Sequence, residues 1–230
     1  MKIFAISDLH LSTAVEKPMD IFGDGWLGHF DKIKEDWNNK VSDDDLVLIG
    51  GDTSWGSNLD EAEPDLIQLK DLKGKKIVLR GNHDYWWNSL SKISSRFPYL
   101  NFLQNNCYAF DGFIVCGSRG WNIANENSSD EDKKIYEREL MRLELSIKQA
   151  IDKQKNGEVL IALLHYPPFE ADFKDTAVTK LLEQYGVSKV IYGHLHGKEV
   201  RVKPRYVKNG IEYILTSCDL IDFKLVEVKL

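Results

Sequence analysis

KIFAISDLH, residues 2–10, is a short apolar run that ends in two side chains able to bind a metal ion, Asp8 and His10. Similar runs, most of them rich in Val and Ile, alternate with longer amphipathic segments along the chain. They are DLVLIG (45–50), KIVLR (76–80), FIVCG (113–117), VLIALLH (159–165) and KVIYG (189–193). Runs of this kind suit strands that are covered on both faces. Their alternation with amphipathic segments predicts a layered α/β domain.

Helical periodicity is clearest over residues 130–155, which open on the acidic pair Asp130 and Glu131. Shorter helices are predicted at 60–72, 86–96 and 175–185. From Val200 onward, the segments VRVKPRYVK, IEYILTSC and FKLVEVKL predict strands that pair without intervening helices, with a turn at Asn209-Gly210. Because no internal repeat or linker-like stretch occurs, we expect one domain over residues 1–230.

The composition narrows the possible partners. A formal net charge of −6 argues against an extended polyanion, so nucleic acid is an unlikely partner. A small phosphorylated substrate is compatible, because a metal ion can supply positive charge locally. Cys107, Cys116 and Cys218 lack CxxC spacing and predict buried, reduced thiols of a cytoplasmic protein. No apolar stretch approaches the roughly 20 residues of a membrane helix. The oligomeric state stays open.

Almost every predicted strand is followed by residues that can bind a metal ion or a proton. These residues are Asp8, His10, Asp52, Asn82, His83, Asp84, His165, His194 and His196. Ligands of open α/β sheets collect at the carboxyl ends of strands, so we expect these side chains to converge. The pairs separated by two, Asp8 with His10 and His194 with His196, share one side if the backbone is extended. Singly, each residue has an ordinary explanation as a turn former or helix cap. Together, five of six histidines at four strand ends favour one shared site.

The ordered series DLH (8–10), GD (51–52), GNHD (81–84), His165 and GHLH (193–196) resembles the signature of the calcineurin-like metallophosphoesterases. KPMDIFGDGW, GNHDYWW and GSRGW also resemble an uncharacterised bacterial phosphohydrolase group within that family. The resemblance implies a four-layer α/β/β/α sandwich, in which two mixed sheets are flanked by helices. It also implies a dinuclear metal site at the C-terminal ends of the strands.

The resemblance further implies a ligand set for two divalent ions. Asp8, His10 and His196 would bind one ion, and Asn82, His165 and His194 the other, with Asp52 bridging them. Carboxylate, imidazole and amide ligands suit Mn²⁺, Fe²⁺, Co²⁺, Ni²⁺ or Zn²⁺, and Mn²⁺ is favoured here. Trp55 stands where the purple acid phosphatase branch of the family places a tyrosine ligand, so a tyrosinate-held Fe³⁺ is not expected.

Two such ions, about 3.5–4 Å apart, can share a hydroxide and polarise a phosphoryl group. The predicted reaction is therefore hydrolysis of a small phosphomonoester or phosphodiester. His83 resembles the family's residue that supplies the leaving-group proton or stabilises charge on the transferred phosphoryl group. Asp84 is predicted to orient His83 through a hydrogen bond. An aspartate at this position could equally cap the next helix.

Two residues outside the series are candidate substrate contacts. Arg119 follows the fourth strand and could meet a phosphate with its planar guanidinium, or it could be a solvated loop residue. His29 lies in a segment of helical spacing, so it is either a partly buried helix residue or part of the substrate pocket.

Two other functions compete with a small-molecule phosphoesterase. A nuclease of the same fold is disfavoured by the acidic charge balance. A binding scaffold without activity is disfavoured because His83 and all seven implied ligands are present.

Overall fold

A computed structural model describes residues 1–170, 173–197, 200 and 202–230. Its strands are β1 Ile3–Ile6, β2 Leu46–Ile49, β3 Lys75–Leu79, β4 Asn101–Leu103, β5 Tyr108–Phe110, β6 Phe113–Ser118, β7 Val159–Leu164, β8 Lys189–Tyr192, β9 Arg205–Lys208, β10 Ile211–Leu215 and β11 Val226–Glu227. Its α-helices are α1 His29–Lys40, α2 Leu59–Lys70, α3 Leu90–Arg96, α4 Asp130–Lys153 and α5 Ala177–Gln184. Within the described ranges, no helix combines the length and apolarity needed to cross a bilayer.

The strands form two mixed sheets. The first has the order β11-β1-β2-β3-β4, in which β1 to β4 are parallel and β11 is antiparallel at the edge. The second has the order β5-β6-β7-β8-β10-β9, in which the four central strands are parallel and β5 and β9 are antiparallel edges. Within each sheet, the carboxyl ends of the parallel strands therefore lie along one edge, where ligands collect in such sheets.

The core has three apolar layers, and β1 contributes to two of them. Ile3 and Ala5 point into the layer between the two sheets, whereas Phe4 and Ile6 point into the layer beneath α1, α2 and α3. This alternation follows from the period of two along a strand. A third layer lies between the second sheet and helices α4 and α5. The predicted α/β/β/α sandwich with two mixed sheets is confirmed.

Helix α4 shows how the sequence sets its own boundaries. Ser129 caps the amino end by accepting a hydrogen bond from the backbone N–H of Asp132 at 3.0 Å, and acidic residues fill the first turn.

Helix α3 starts at Leu90, four residues later than the predicted start at 86. Trp86 and Trp87 therefore lie in the loop before the helix. The indole N–H of Trp86 donates a hydrogen bond to Asp84, and that of Trp87 donates one to Gln104.

The carboxyl-terminal part of the chain follows the prediction only in part. Strands β9 and β10 pair across Asn209-Gly210, where both residues have positive φ as a tight hairpin turn requires. Residues Cys218–Ile221 form a 3-10 helix instead of continuing a strand. Only Val226–Glu227 of the last predicted strand pairs, and it pairs with β1 in the first sheet. Arg201, within another predicted strand, lies outside the described residues.

Candidate active site

The first group of predicted ligands meets where β1 ends. The ligand atoms of Asp8, His10 and His196 lie within 4.8 Å of one another. His196 Nε2 is 3.3 Å from His10 Nε2 and 3.5 Å from Asp8 Oδ1. Two imidazole nitrogens at this separation, beside a buried carboxylate, form a donor set that suits one divalent cation.

The second group meets between the ends of β3, β7 and β8. Asn82 Oδ1 lies 2.6 Å from His165 Nε2 and 2.9 Å from His194 Nδ1. The two imidazole nitrogens are 3.3 Å apart. The three side chains predicted to bind the second ion therefore present their donor atoms to one another.

Asp52 lies between the two groups. Its Oδ2 atom is 3.8 Å from His10 Nε2 and 3.6 Å from His165 Nε2. Its Oδ1 atom accepts a hydrogen bond of 2.8 Å from the backbone N–H of His83. One carboxylate thus faces both clusters, which is the position a bridging ligand needs. Asp8, Asp52 and His165 also have ligand atoms within 4.8 Å of one another.

Four of these residues have left-handed backbone. The φ angles are 62° at Asp8, 47° at His10, 50° at Asp52 and 71° at His194. Non-glycine residues rarely adopt this conformation, and strain of this kind clusters at functional sites. The extended backbone that would put the paired residues on one side is therefore not present at Asp8, His10 and His194. Their side chains converge because each loop turns sharply after its strand.

Two motif glycines allow the loops to approach the ligands. A Cβ atom at Gly81 would lie 2.0 Å from Asp52 Oδ1, and one at Gly193 would lie 2.5 Å from Asp8 Oδ2. Only glycine leaves room for the backbone at these two contacts. The glycines of GNHD and GHLH thus have a steric role beside the metal ligands.

Asp84 has a different role from the one predicted. Its buried carboxylate accepts hydrogen bonds from the backbone N–H groups of Asp52, Thr53, Ser54 and Gly81, and from the Trp86 indole, at 2.7–3.2 Å. Within the described residues, His83 Nδ1 has no hydrogen-bond partner. The prediction that Asp84 orients His83 is wrong, and helix α3 is preceded by Ser89 rather than Asp84. Asp84 instead connects the loop after β2 to the loop after β3 through these hydrogen bonds.

Asp219 supports His196 and was not predicted. Its Oδ1 atom lies 2.9 Å from His196 Nδ1, and its Oδ2 atom accepts a 2.9 Å hydrogen bond from the Gly197 N–H. His165 has a comparable support, because its Nδ1 atom lies 3.0 Å from the Gly50 carbonyl oxygen. Such contacts fix the ring and leave Nε2 free to bind a metal ion. The only signal for Asp219 is its place just after strand β10, as other site residues follow strands.

The charges of the site fit bound cations. Burial, followed by the neighbouring carboxylates of Asp8 and Asp84, raises the pKa of Asp52 to about 9. Burial lowers the pKa of His10 to about 3 and that of His194 to about 4. Burial also disfavours the protonated form of His196, but hydrogen bonds to Asp219 and Asp8 outweigh this effect and raise the pKa of His196 to about 10. Divalent ions stabilise ionised carboxylates and neutral imidazoles, so a bound ion would displace the protons that Asp52 and His196 hold in its absence.

Two pockets flank the cluster. The first, about 490 Å³, is lined by His10, His83 and His196 together with Trp26 and Trp55. The second, about 650 Å³, begins at His194 and Tyr166 and continues along Trp121 and Phe169. Trp55 stacks on His10 with ring centroids 4.8 Å apart. The cluster is therefore open on two sides to surfaces rich in aromatic side chains.

The two candidate substrate contacts lie elsewhere. His29 has ring nitrogens 2.8 Å from the Leu9 carbonyl oxygen and 3.1 Å from that of Trp26, so it holds the loop after β1. The Arg119 guanidinium packs over Trp121 at 4.7 Å and lies 3.5 Å from Glu139. Among the described residues that line the two pockets, neither His29 nor Arg119 is present. Neither side chain therefore reaches the two pockets beside the cluster.

Two mixed sheets between helices, with carboxylate, imidazole and amide donors at the strand ends, define an α/β protein with a candidate metal site. The sequence model of the calcineurin-like phosphoesterases matches residues 1–198, and the chain belongs to this family. It is accordingly a metal-dependent hydrolase of phosphate esters.

The proteins similar to this chain include the following three. A protein of Methanocaldococcus jannaschii named as uncharacterised is 25% identical over 206 residues, which cover 83% of this chain and 96% of that protein. The crystal structure of phosphopantetheinyl hydrolase from Mycobacterium tuberculosis superposes with a TM-score of 0.62 at 12% identity, over 99% of this chain and 95% of that one. TT1561 of Thermus thermophilus gives a TM-score of 0.62 at 14% identity, over 99% and 98%. At these identities the structural matches show a shared fold.

Proposed function

We propose that the protein hydrolyses a small phosphomonoester or phosphodiester with two divalent ions bound side by side. The observation that carries this proposal is the position of Asp52, whose carboxylate faces both donor clusters at 3.6–3.8 Å. Asp8, His10 and His196 would hold one ion, and Asn82, His165 and His194 the other. The donor set suits Mn²⁺, Fe²⁺, Co²⁺, Ni²⁺ or Zn²⁺, and we favour Mn²⁺.

When bound, the two ions supply positive charge to the phosphoryl oxygens and a water that is nucleophilic at neutral pH. His83 is the residue to which we assign the leaving group. It lines the first pocket, and its ring lies beside Trp55 with centroids 4.4 Å apart. Because its Nδ1 atom is buried, Nε2 is the nitrogen that can meet the substrate.

The protonation of His83 depends on its surroundings. Burial lowers its pKa, and the nearby His165 and His196 lower it further. A bound phosphoryl group is negatively charged and therefore raises the pKa of His83, so substrate binding favours the protonated ring. His83 then donates a proton to the leaving oxygen or stabilises charge on the phosphoryl group.

The two pockets favour a substrate with a substituent on each side of the phosphorus. One pocket meets the cluster at His10, His83 and His196, and the other meets it at His194. A monoester has one carbon substituent and would occupy one pocket, whereas a diester can occupy both. The aromatic linings favour apolar or planar substituents.

We also propose a cytoplasmic location. Cys107, Cys116 and Cys218 are free and buried, as is usual where thiols are kept reduced.

The test is hydrolysis by protein reconstituted separately with each of the five metals, using p-nitrophenyl phosphate and bis(p-nitrophenyl) phosphate. Two ions per chain and turnover with at least one metal are expected, with a higher kcat/KM for the diester. Absence of turnover with every metal would refute the proposal, and a stoichiometry of one would refute the dinuclear site.

Replacing His83 with glutamine tests its role. Loss of general acid catalysis should lower kcat by roughly 10²–10⁴ while two ions remain bound. Asn88→Ala is the control, because Asn88 is exposed and lines neither pocket. Loss of metal from the His83 variant would show that His83 supports the metal site instead.

A further inference from the structure

A third pocket lies further along the edge that carries the metal ligands. It is lined by the side chains that follow strands β3, β4 and β6 and by one face of helix α4. The charged residues among them, which we call the arginine pocket, are Arg80, Arg119, Glu139 and Arg142. Neighbouring strands are about 4.8 Å apart, so one to two strand spacings put this pocket roughly 5–10 Å from the histidine cluster.

The arginine pocket has more positive than negative charge. Three guanidinium groups line it, and Glu139 is the one carboxylate among the described residues that line it. Glu139 Oε1 is 2.7 Å from Arg142 and 3.5 Å from Arg119. Within the described part of the chain, the Arg80 side chain has no ion pair or hydrogen bond. In a chain of net charge −6, this is a local concentration of cations that its own residues do not neutralise.

Two hydrogen-bond donors in this pocket are unused. The Nε atoms of Arg80 and Arg119 are buried and have no hydrogen-bond partner among the described residues. Buried donors without partners are uncommon in folded proteins, because each loses its hydration without compensation. Arg80 and Arg119 are close enough for their positive charges to repel each other. An anion would relieve both the repulsion and the missing hydrogen bonds.

The pocket is preformed and of suitable size. Arg119 is held by Trp121 on one side and Glu139 on the other, and Arg142 is fixed by Glu139. The cavity measures about 60 Å³, which is several times the roughly 10–15 Å³ that one water molecule needs on the same measure. Planar guanidinium groups bind the oxygens of phosphate and carboxylate in pairs.

We propose that Arg80, Arg119 and Arg142 form a binding site for a phosphate-like oxyanion, separate from the metal centre. The ligand is either a second phosphate carried by the substrate or a free anion. The site stands on its own charges and donors, and it does not depend on the proposed function of the metal centre.

The test is a calorimetric titration of the metal-loaded, full-length protein with inorganic phosphate in a chloride buffer. The variants are Arg80→Met and Arg119→Met. The control is Arg205→Met, because Arg205 on β9 pairs with Glu212 on the neighbouring strand β10, away from the arginine pocket. Each pocket variant should lose one phosphate per chain or bind it at least about tenfold more weakly, because a charge-assisted hydrogen bond is lost. Phosphate bound at the metal centre contributes equally to wild type and variants, so the difference in binding between them measures the arginine pocket alone. Equal binding in all four proteins would overturn the proposal.

A melting experiment separates binding from a structural role. Because Arg80 has no partner among the described residues, Arg80→Met should melt in phosphate-free buffer no lower than wild type. Phosphate should raise the melting temperature of the variant less than that of wild type. A lower melting temperature without phosphate, together with an unchanged response to phosphate, would mark Arg80 as structural and overturn the proposal.

The source of the anion is tested by comparing KM for a nucleoside 3′,5′-bisphosphate and the matching 5′-monophosphate. A lower KM for the bisphosphate that is lost in Arg119→Met supports a phosphate of the substrate. Equal KM values, with phosphate binding that depends on Arg80 and Arg119, support a free anion. Both results uphold the oxyanion site.

Discussion

Replacing Asp219 with asparagine tests how His196 is held as a metal ligand. The carboxylate contacts His196 Nδ1 and the Gly197 N–H, each at 2.9 Å. Asparagine keeps the shape of the side chain, but one of its two polar atoms becomes an NH₂ donor. That donor must face another N–H, so one of the two contacts is lost. The variant also removes the negative charge that makes the imidazole a stronger ligand.

The expected loss is one charge-assisted contact to a metal-binding histidine. Replacing such a partner usually weakens metal binding by about 10- to 100-fold, or roughly 1.4–2.8 kcal/mol. The pKa of His196, about 10 without metal because Asp219 and Asp8 outweigh its burial, should fall. Asp219 does not touch the Asn82, His165 and His194 cluster, so binding of the second ion should change much less.

The assay is calorimetric titration of the metal-free protein with Mn²⁺, which resolves a tight and a weakened site. Asp222→Asn is the matched control. Asp222 lies three residues away, is exposed, and has a φ of 55°, which asparagine tolerates well. Wild-type affinity in the Asp219 variant would refute the reasoning. An equal loss in the Asp222 variant would show that the effect comes from the local helix.

Three further predictions concern the same site. Asp52→Asn should reduce occupancy of both ions, measured by metal analysis, and one fully occupied site would contradict the bridging assignment. Gly81→Ala should lower the free energy of unfolding by about 2–4 kcal/mol, because its Cβ would lie 2.0 Å from Asp52 Oδ1. The control is Gly25→Ala, whose Cβ would make only an ordinary 3.7 Å contact. Equal melting temperatures of the two variants would contradict this prediction. The free energy of unfolding of metal-free protein should fall between about pH 7.5 and 9, because the histidines whose pKa burial lowers are already neutral there in both states. Asp52 and His196 have folded pKa values of about 9 and 10, above their unfolded values, so both bind protons more tightly when folded. Each contributes at most about 1.4 kcal/mol per pH unit. A rise in stability over this range, measured by urea unfolding, would contradict the prediction.

The sequence predicts the central strands well, and with them the candidate ligands that converge at their ends. Strands such as β2 and β7 are apolar because both of their faces are covered, and this leaves a clear signal. The ligands follow strands directly, so predicting the strands also places the ligands. Strands β4 and β5 were not predicted, because each has three residues and β5 is partly exposed, too short for a periodic pattern.

The supporting contacts could not be predicted in the same way. The hydrogen bonds of Asp84 depend on which backbone N–H groups the loop after β2 presents, and these come from residues about 30 positions earlier. Asp219 meets His196 only because the chain turns into a 3-10 helix after β10. The bends at the ligand positions belong to loops whose conformation is fixed by contacts between distant segments.

The left-handed backbone at Asp8, His10, Asp52 and His194 limits how the site could be redesigned. Aspartate, asparagine and histidine are the non-glycine residues that enter this conformation most readily, and β-branched residues are the least suited. Glutamate or cysteine, which are common choices for altering metal preference, would carry backbone strain at these four positions. Asn82, His165 and His196 do not have positive φ, so ligand exchange aimed at a different metal should begin with these three.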